Sequence, residues 1–307
     1  MALTINKTLT LRNNHPLCSM GARREAMQRL LDQKIDTSHK FLFGDVIEVL
    51  RRHKDEQFDL VIADPPYNII VNQKTKLDKS HGLPLMGGAW KIFDELWDKY
   101  DFSTYFNFTL EYLQEVKRVV RPTGSIWIFG TYHNIGIVNT CLRLLDIEII
   151  NEVIWYKSNA FPNLANRRLT ASHENILWAH KGSPKKRKYY FDSSYAKSVG
   201  SSEDALKTLN KQMRTVWSIP NNKQKHELVK GSYPTQKPLK VLRRLIQLST
   251  RPGDTILSIF SGSGSDACAA IETNRNSVSI ENSVNAVEHA AGRICEVYGL
   301  NVDVKTI

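Results

Sequence analysis

Thr255-Ile256-Leu257-Ser258-Ile259-Phe260 is a short apolar run, and Ser261-Gly262-Ser263-Gly264 follows it directly. Its β-branched residues and the glycines after it predict a buried strand leaving into a tight turn. A helical pattern over 266–273, a second strand pattern over 277–280 and a helical pattern over 283–298 complete a β-α-β-α unit. Glycines in such a turn let a ligand approach the backbone at the N-terminus of the following helix. An acid closing the second strand, here Glu281, can grip two ribose hydroxyls. No Lys-Ser or Lys-Thr follows the glycines, so the turn is not a P-loop. Gly262-x-Gly264-x-x-Ala267 also satisfies the loose dinucleotide pattern. A plain glycine turn would match that pattern too, and Glu281 at the next strand tip weighs against it.

Working upstream, a helix is expected over 238–249 and strands over 41–43, 60–63, 125–129, 147–156 and 174–179. Helices are expected over 22–31, from 45 through 52, over 104–120 and over 135–145, with Arg121-Pro122-Thr123-Gly124 stopping the third of these. Strands alternating with helices point to an α/β fold: an open, doubly wound, mostly parallel sheet with helices on both faces. Residues 68–93 form a polar, Gly-containing stretch longer than a compact domain tolerates without a function, and Trp90 lies in it as a candidate anchor.

Within this frame, Asp64-Pro65-Pro66-Tyr67 ends the strand at 60–63, where open α/β sheets place their ligands. Two prolines lock both φ angles and leave their carbonyls free to accept hydrogen bonds. A carboxylate and a carbonyl can accept both N–H bonds of an exocyclic amine while the Tyr67 ring stacks on a planar group. Asp and Pro are also ordinary turn residues, so this segment needs the glycine unit beside it to carry a functional meaning.

The chain has 307 residues and a formal net charge of +11. Residues 181–244 hold sixteen Lys and Arg against Asp192, Glu203, Asp204 and Glu227, a net +12, and the remaining 243 residues sum to −1. Charge confined to one fifth of the chain points to a surface facing a polyanion, with a merely solvated face as the plainer alternative. Lys185, Lys186, Arg187, Lys188, Lys211 and Arg214 are the candidate nucleic-acid contacts, with Tyr189, Tyr190 and Trp217 interleaved, each of which can equally be core of that region. Four dispersed cysteines argue against a zinc site or a disulfide framework, and no metal site is expected. No apolar run is long enough to span a membrane, and the first 30 residues lack a secretory core.

The two signals in this order resemble the β-class amino-methyltransferases of DNA, the S-adenosylmethionine-dependent group found in bacterial restriction–modification systems. The resemblance covers roughly 38–298. It rests on Gly44-Asp45, Asp64-Pro65-Pro66-Tyr67-Asn68, Arg121-Pro122-Thr123-Gly124, Ile154-Trp155-Tyr156-Lys157, Ser172-His173-Glu174, Pro234-Thr235-Gln236-Lys237-Pro238 and Phe260-Ser261-Gly262-Ser263-Gly264. The chain departs from the group's pattern at three places. Tyr233 stands where His is usual, Ser258-Ile259 where Asp-Pro often precedes the Phe, and Ser265 where Thr follows the second Gly.

The resemblance implies a Rossmann-like methyltransferase fold with permuted motif order. It divides the chain into an N-terminal arm (1–37), a catalytic half (38–180), an inserted target-recognition region (181–230) and a cofactor half (231–307). S-adenosylmethionine would be held by Phe260, Ser261, Gly262, Ser263, Gly264, Glu281 and Asn282. Thr235, Gln236 and Lys237 would lie near its methionine end and Asp45 near its adenine. Asp45 can equally be a helix N-cap, and Lys237 part of the basic surface. The target base would be flipped out of the duplex onto Tyr67, with Asp64 Oδ and the Pro65 carbonyl accepting the amino hydrogens. No cysteine stands in the motif, so a thiol nucleophile for carbon methylation is excluded. Cytosine-N4 members of the group usually carry Ser at the position of Asp64, which favours adenine N6.

Double-stranded DNA is the implied partner, the bacterial cytoplasm and nucleoid the implied location, and a homodimer one of the assemblies open to the chain. Cytosine-N4 transfer is the nearest alternative. A nicotinamide-dependent oxidoreductase, a non-catalytic DNA-binding protein and an RNA substrate are the more distant ones.

Overall fold

A computed structural model describes residues 36–68 and 100–307, apart from positions 161, 163–166, 168, 184, 186, 204–207, 209, 222, 232 and 234. The expected N-terminal helix, most of the stretch at 68–93 including Trp90, Lys186 and Pro234 therefore lie outside the described residues.

Among the described residues, nine strands form one sheet in the order β6-β4-β5-β3-β2-β7-β8-β1-β9. They are β1 His39–Phe43, β2 Phe58–Ala63, β3 Val120–Gly130, β4 Glu148–Tyr156, β5 His173–His180, β6 Val216–Ser218, β7 Thr255–Ile259, β8 Asn276–Glu281 and β9 Asp303–Thr306. Every pairing is parallel except those that β5 makes with β3 and β4. The helices are α1 Val46–Arg51, α2 Phe102–Val119, α3 Ile135–Leu144, α4 Ser193–Glu203, α5 Leu239–Ser249, α6 Ser265–Glu272 and α7 Val284–Tyr298.

Side chains alternate along each central strand, so Leu60 and Ile62 enter one core and Val61 and Ala63 the other. Helices α5, α6 and α7 cover the first face, while α1, α2 and α3 cover the second. This three-layer arrangement is the doubly wound sheet expected from the alternation of elements.

Strands β2 and β7 are neighbours, with Ala63 opposite Ile259. From β2 the chain passes through α2 to β3 on one side, and from β7 through α6 to β8 on the other. Connections that diverge from adjacent parallel strands open a crevice at their carboxyl ends. Asp64 and Phe260 leave the sheet side by side at that crevice.

Three local expectations are corrected. Arg121–Gly124 is not a stop between α2 and a strand but part of β3, where the register jumps from Phe58↔Val120 to Leu60↔Ser125. The extra residues are accommodated opposite Asp59, which pairs with Arg121, and a Cβ at Gly124 would lie 2.9 Å from the Asp59 carbonyl oxygen. The basic segment holds α4 and β6, and of the two alternatives for Trp217, basic surface or core, the structure takes the core. Trp217 is 1% exposed, 6.1 Å from Trp127, with the Arg244 guanidinium 5.0 Å from its ring. Finally, β9 was not anticipated, because a short edge strand of sequence Asp-Val-Lys-Thr has almost no apolar signature.

Candidate active site

The crevice holds a cavity of about 360 Å³ whose walls come from the ends of β1, β2, β7 and β8, the segment before α5 and the start of α6. Among the residues lining it are Gly44, Asp45, Asp64, Pro66, Tyr233, Thr235, Gln236, Lys237, Phe260, Ser261, Gly262, Ser263, Asp266, Glu281 and Asn282. The structure thus gathers most of the proposed cofactor residues with Asp64 in one place.

The glycine turn is built as the sequence implied. Phe260, Gly262 and Gly264 have φ of 62°, 49° and 69°, so this segment sits in left-handed backbone. A side chain at Gly264 would fall 2.7 Å from the Ala290 Cβ and 3.1 Å from Phe41, so only glycine brings α7 and β1 this close. Phe260 stacks edge-on to Tyr112 at 5.4 Å, which holds the turn. The Glu281 carboxylate accepts from the backbone N–H groups of Gly262 (2.7 Å), Asn282 and Ser283 (3.0 Å each). It is therefore pinned before any ligand arrives. Asp45 fulfils the N-cap alternative, because Oδ1 accepts from Ile47 and Glu48 N–H. It also lines the cavity.

Around Asp64 the arrangement was only partly anticipated. Lys237 is buried, not on the basic surface, and its Nζ lies 2.5 Å from Asp64 Oδ2 and 3.6 Å from Glu174 Oε2. Tyr67 Oη donates to Asp64 Oδ1 at 2.7 Å and to Glu174 Oε2 at 3.2 Å. Lys157 completes the cluster at 2.9 Å from Glu174 Oε1. Two carboxylates, two ammonium groups and a phenol therefore form one buried network.

Burial raises the Asp64 pKa, and Lys237 only partly opposes it. Burial pushes Glu174 up too, but the two lysines outweigh it and leave Glu174 below the usual carboxylate range. Burial pulls Lys237 down, yet the two carboxylates more than compensate and raise its pKa. Burial and both carboxylates drive the Tyr67 phenol far up, so it acts only as a donor.

Further contacts hold the turn rigid. Tyr105 Oη donates to the Pro66 carbonyl at 2.6 Å and accepts from Asn134 Nδ2 at 3.2 Å. Asn68 clamps Tyr100 through two hydrogen bonds, 3.1 and 3.0 Å. Glu174 and Lys157 were matched to the group's motifs but given no role. A carboxylate at the start of β5 and a lysine just past the end of its antiparallel partner β4 carry no local signal until the strands pair.

The candidate DNA contacts separate into two places. Because β5 runs antiparallel, its start at Glu174 lies by Asp64 and its end at His180 lies at the opposite end of the sheet. Lys185, Arg187 and Lys188 follow that far end, and Arg187 pairs with Glu148 at the start of β4. Lys211 and Arg214 are exposed beside β6. Lys223, beyond β6, is within electrostatic reach of Lys237, Glu174 and Lys157, and burial together with the Lys237 charge lowers its pKa. Thus the structure does not bring Lys185, Arg187 and Lys188 to the catalytic end. Lys223, which spacing did not single out, is there.

No helix among the described residues is long and apolar enough to cross a membrane. The DNA methylase family of N6 and N4 type matches residues 58–292. The chain is 35% identical over 269 residues to the type II methyltransferase M.HinfI of Haemophilus influenzae, covering 85% of this chain and 70% of that one. It is 36% identical over 242 residues to M2.DpnII of Streptococcus pneumoniae, covering 78% and 82%. Among solved structures, the M1.HpyAVI complex with S-adenosylmethionine has a TM-score of 0.57 at 22% identity, covering 83% of this chain and 98% of that one. The cytosine-N4-specific PvuII DNA methyltransferase has a TM-score of 0.63 at 16% identity, covering 89% and 96%. These two establish likeness of fold. With the glycine turn, the pinned Glu281 and the Asp64–Tyr67 turn meeting in one cavity, the chain belongs to the S-adenosylmethionine-dependent N6/N4 family of DNA methylases.

Proposed function

We propose that this methyltransferase acts on the N6 amino group of an adenine flipped out of double-stranded DNA, as the modification half of a restriction–modification pair. The observation that carries the choice of base is Asp64 in the cavity wall, where cytosine-N4 members of the group usually carry Ser. A carboxylate accepts amino hydrogens without donating, which suits the exocyclic NH₂ of either base, so the choice rests on Asp standing in place of Ser. The likeness to a cytosine-N4 enzyme is one of fold and does not bear on the base.

The cavity suits the cofactor. Gln236 Oε1, Ser261 Oγ and Asp266 Oδ1 are buried polar atoms without a protein partner, and all three residues line it. S-adenosylmethionine supplies an electrophilic methyl on a sulfonium. Glu281 is placed for the ribose and Asp45 for the adenine end. Asp64 Oδ1 and Oδ2 each hold one partner, Tyr67 Oη and Lys237 Nζ, which leaves a lone pair on each for an amino hydrogen. Hydrogen bonds of this kind draw the amino nitrogen toward a tetrahedral form, freeing its lone pair for in-line attack. Lys237 sits 5.4 Å from the centre of the Tyr67 ring on one side, so the base stacks on the other.

DNA phosphates are met by the basic segment, chiefly by Lys223 beyond the end of β6 on the catalytic side, with Lys211 and Arg214 exposed on the flank of the sheet. A cytoplasmic, nucleoid-associated homodimer is part of the same reading, and light scattering on the purified chain tests the dimer. The decisive experiment incubates the protein with DNA and S-adenosylmethionine, digests the DNA to nucleosides and identifies the modified base by mass spectrometry. N6-methyladenine is expected; N4-methylcytosine in its place would overturn the assignment.

A further inference from the structure

Asp266 is in the first turn of α6, is 8% exposed and lines the cavity. Its Oδ2 accepts from Ser258 Oγ at 2.7 Å, and its Oδ1 is buried with no protein partner. Ser258 stands where the related enzymes often carry Asp before the Phe of the glycine turn. Here the strand carries serine at that position, and a carboxylate comes to it from the helix instead. An acid in the first helical turn is common, but burying one with an orphaned oxygen is costly and needs a partner.

Gln236 provides the second observation. Its Nε2 donates to the Glu227 carbonyl at 2.9 Å, which fixes the amide orientation and leaves Oε1 as a buried acceptor without a partner. Gln236 adjoins Lys237 in the chain, and Asp266 interacts electrostatically with Lys237. Two unsatisfied acceptors therefore border the catalytic side of one cavity. They call for a ligand group that donates several hydrogen bonds and carries positive charge. Of the two cationic groups in S-adenosylmethionine, the sulfonium has no hydrogen to donate, whereas the α-ammonium has three.

We propose that Asp266, with Gln236, receives the α-ammonium of the amino-acid end of the cofactor. This rests on assigning the cavity to S-adenosylmethionine. Lys237 is committed to Asp64 and Glu174, so it orients the catalytic carboxylate instead of competing for the ammonium's partners.

The test measures binding, not turnover, by isothermal titration with two ligands. One is S-adenosylhomocysteine, which keeps the ammonium and lacks the sulfonium. The other is its analogue with the α-amino group replaced by hydrogen. The wild type is expected to prefer the amino ligand by about 10- to 100-fold, the range of a hydrogen bond to a charged group. Asp266→Asn, which retains a side-chain oxygen for Ser258, should shrink that preference to about 3-fold or less and leave the analogue's affinity unchanged. A preference that survives in Asp266→Asn, or an equal loss for both ligands, overturns the proposal. Failure of the wild type to bind S-adenosylhomocysteine would overturn the cofactor assignment itself. Unfolding midpoints of the wild type and the variant confirm that both are folded during titration.

Discussion

Lys237 is the residue whose removal should reveal most about how this site is held. Lys237→Met keeps the apolar stem and deletes the cation. Glu174 retains Lys157 at 2.9 Å, so the charge left uncompensated is that of Asp64. Stripping one partner from a buried ion pair costs about 3–5 kcal/mol, and the 21% exposure of the Asp64 side chain puts the expectation at about 3 kcal/mol.

The effect depends on pH in a definite direction. Burial already raises the Asp64 pKa, and Lys237 is the main opposing influence, so the variant's carboxyl rises further. A carboxyl whose folded pKa exceeds its unfolded one destabilises only where it must ionise. The deficit is absent below the unfolded value and grows as pH climbs through the folded one. Urea unfolding, followed by fluorescence of the buried Trp127, Trp155 and Trp217, should show a larger deficit for Lys237→Met at pH 8 than at pH 5. Adding Asp64→Asn should recover part of the loss at pH 8, with a coupling of about 1–3 kcal/mol. A variant within about 0.5 kcal/mol of the wild type at both pH values, or one that Asp64→Asn does not relieve, would refute the claim that Lys237 neutralises a buried carboxylate.

Other outcomes are equally open to measurement. Asp64→Ala should abolish labelled methyl transfer while S-adenosylhomocysteine and DNA still bind; surviving activity would remove Asp64 from the chemistry. Asp266 has its pKa raised to about 6 from 3.8, chiefly by burial, with Ser258 and Lys237 opposing and Asp64 adding to the shift. Asp266→Asn should therefore gain stability over the wild type as pH rises from about 4 to about 6, by about 3 kcal/mol in total, and a flat difference would contradict that burial. Gly264→Ala meets both a φ of 69° and the 2.7 Å approach to Ala290, so thermal melting should register a loss of about 1–3 kcal/mol. Lys223→Ala should lower the salt slope of DNA binding by about 0.9, whereas Lys185→Ala with Lys188→Ala should leave it unchanged; the reverse pattern would place the duplex on the other end of the sheet.

The elements around the site were largely legible because their signals are local. Strand tips at Ala63, Ile259 and Glu281 follow from apolar runs ended by Pro or Gly or by a polar residue, and the glycine turn is dictated by backbone that a side chain would block. What local pattern could not supply was pairing across distance. Lys237 meets Asp64 across 173 positions, and Trp217 fills a core that its basic neighbours conceal. The antiparallel run of β5 brings Glu174 to Asp64 and carries Lys185 and Lys188 away from it. By itself the sequence determined the doubly wound sheet, the glycine turn and the Asp64–Tyr67 turn, since hydrophobic period and backbone sterics act over a few residues. Only the tertiary structure decided which charges neutralise one another in the buried site and which end of the sheet the basic residues occupy, because both depend on strand direction and on desolvation after the chain has closed on itself.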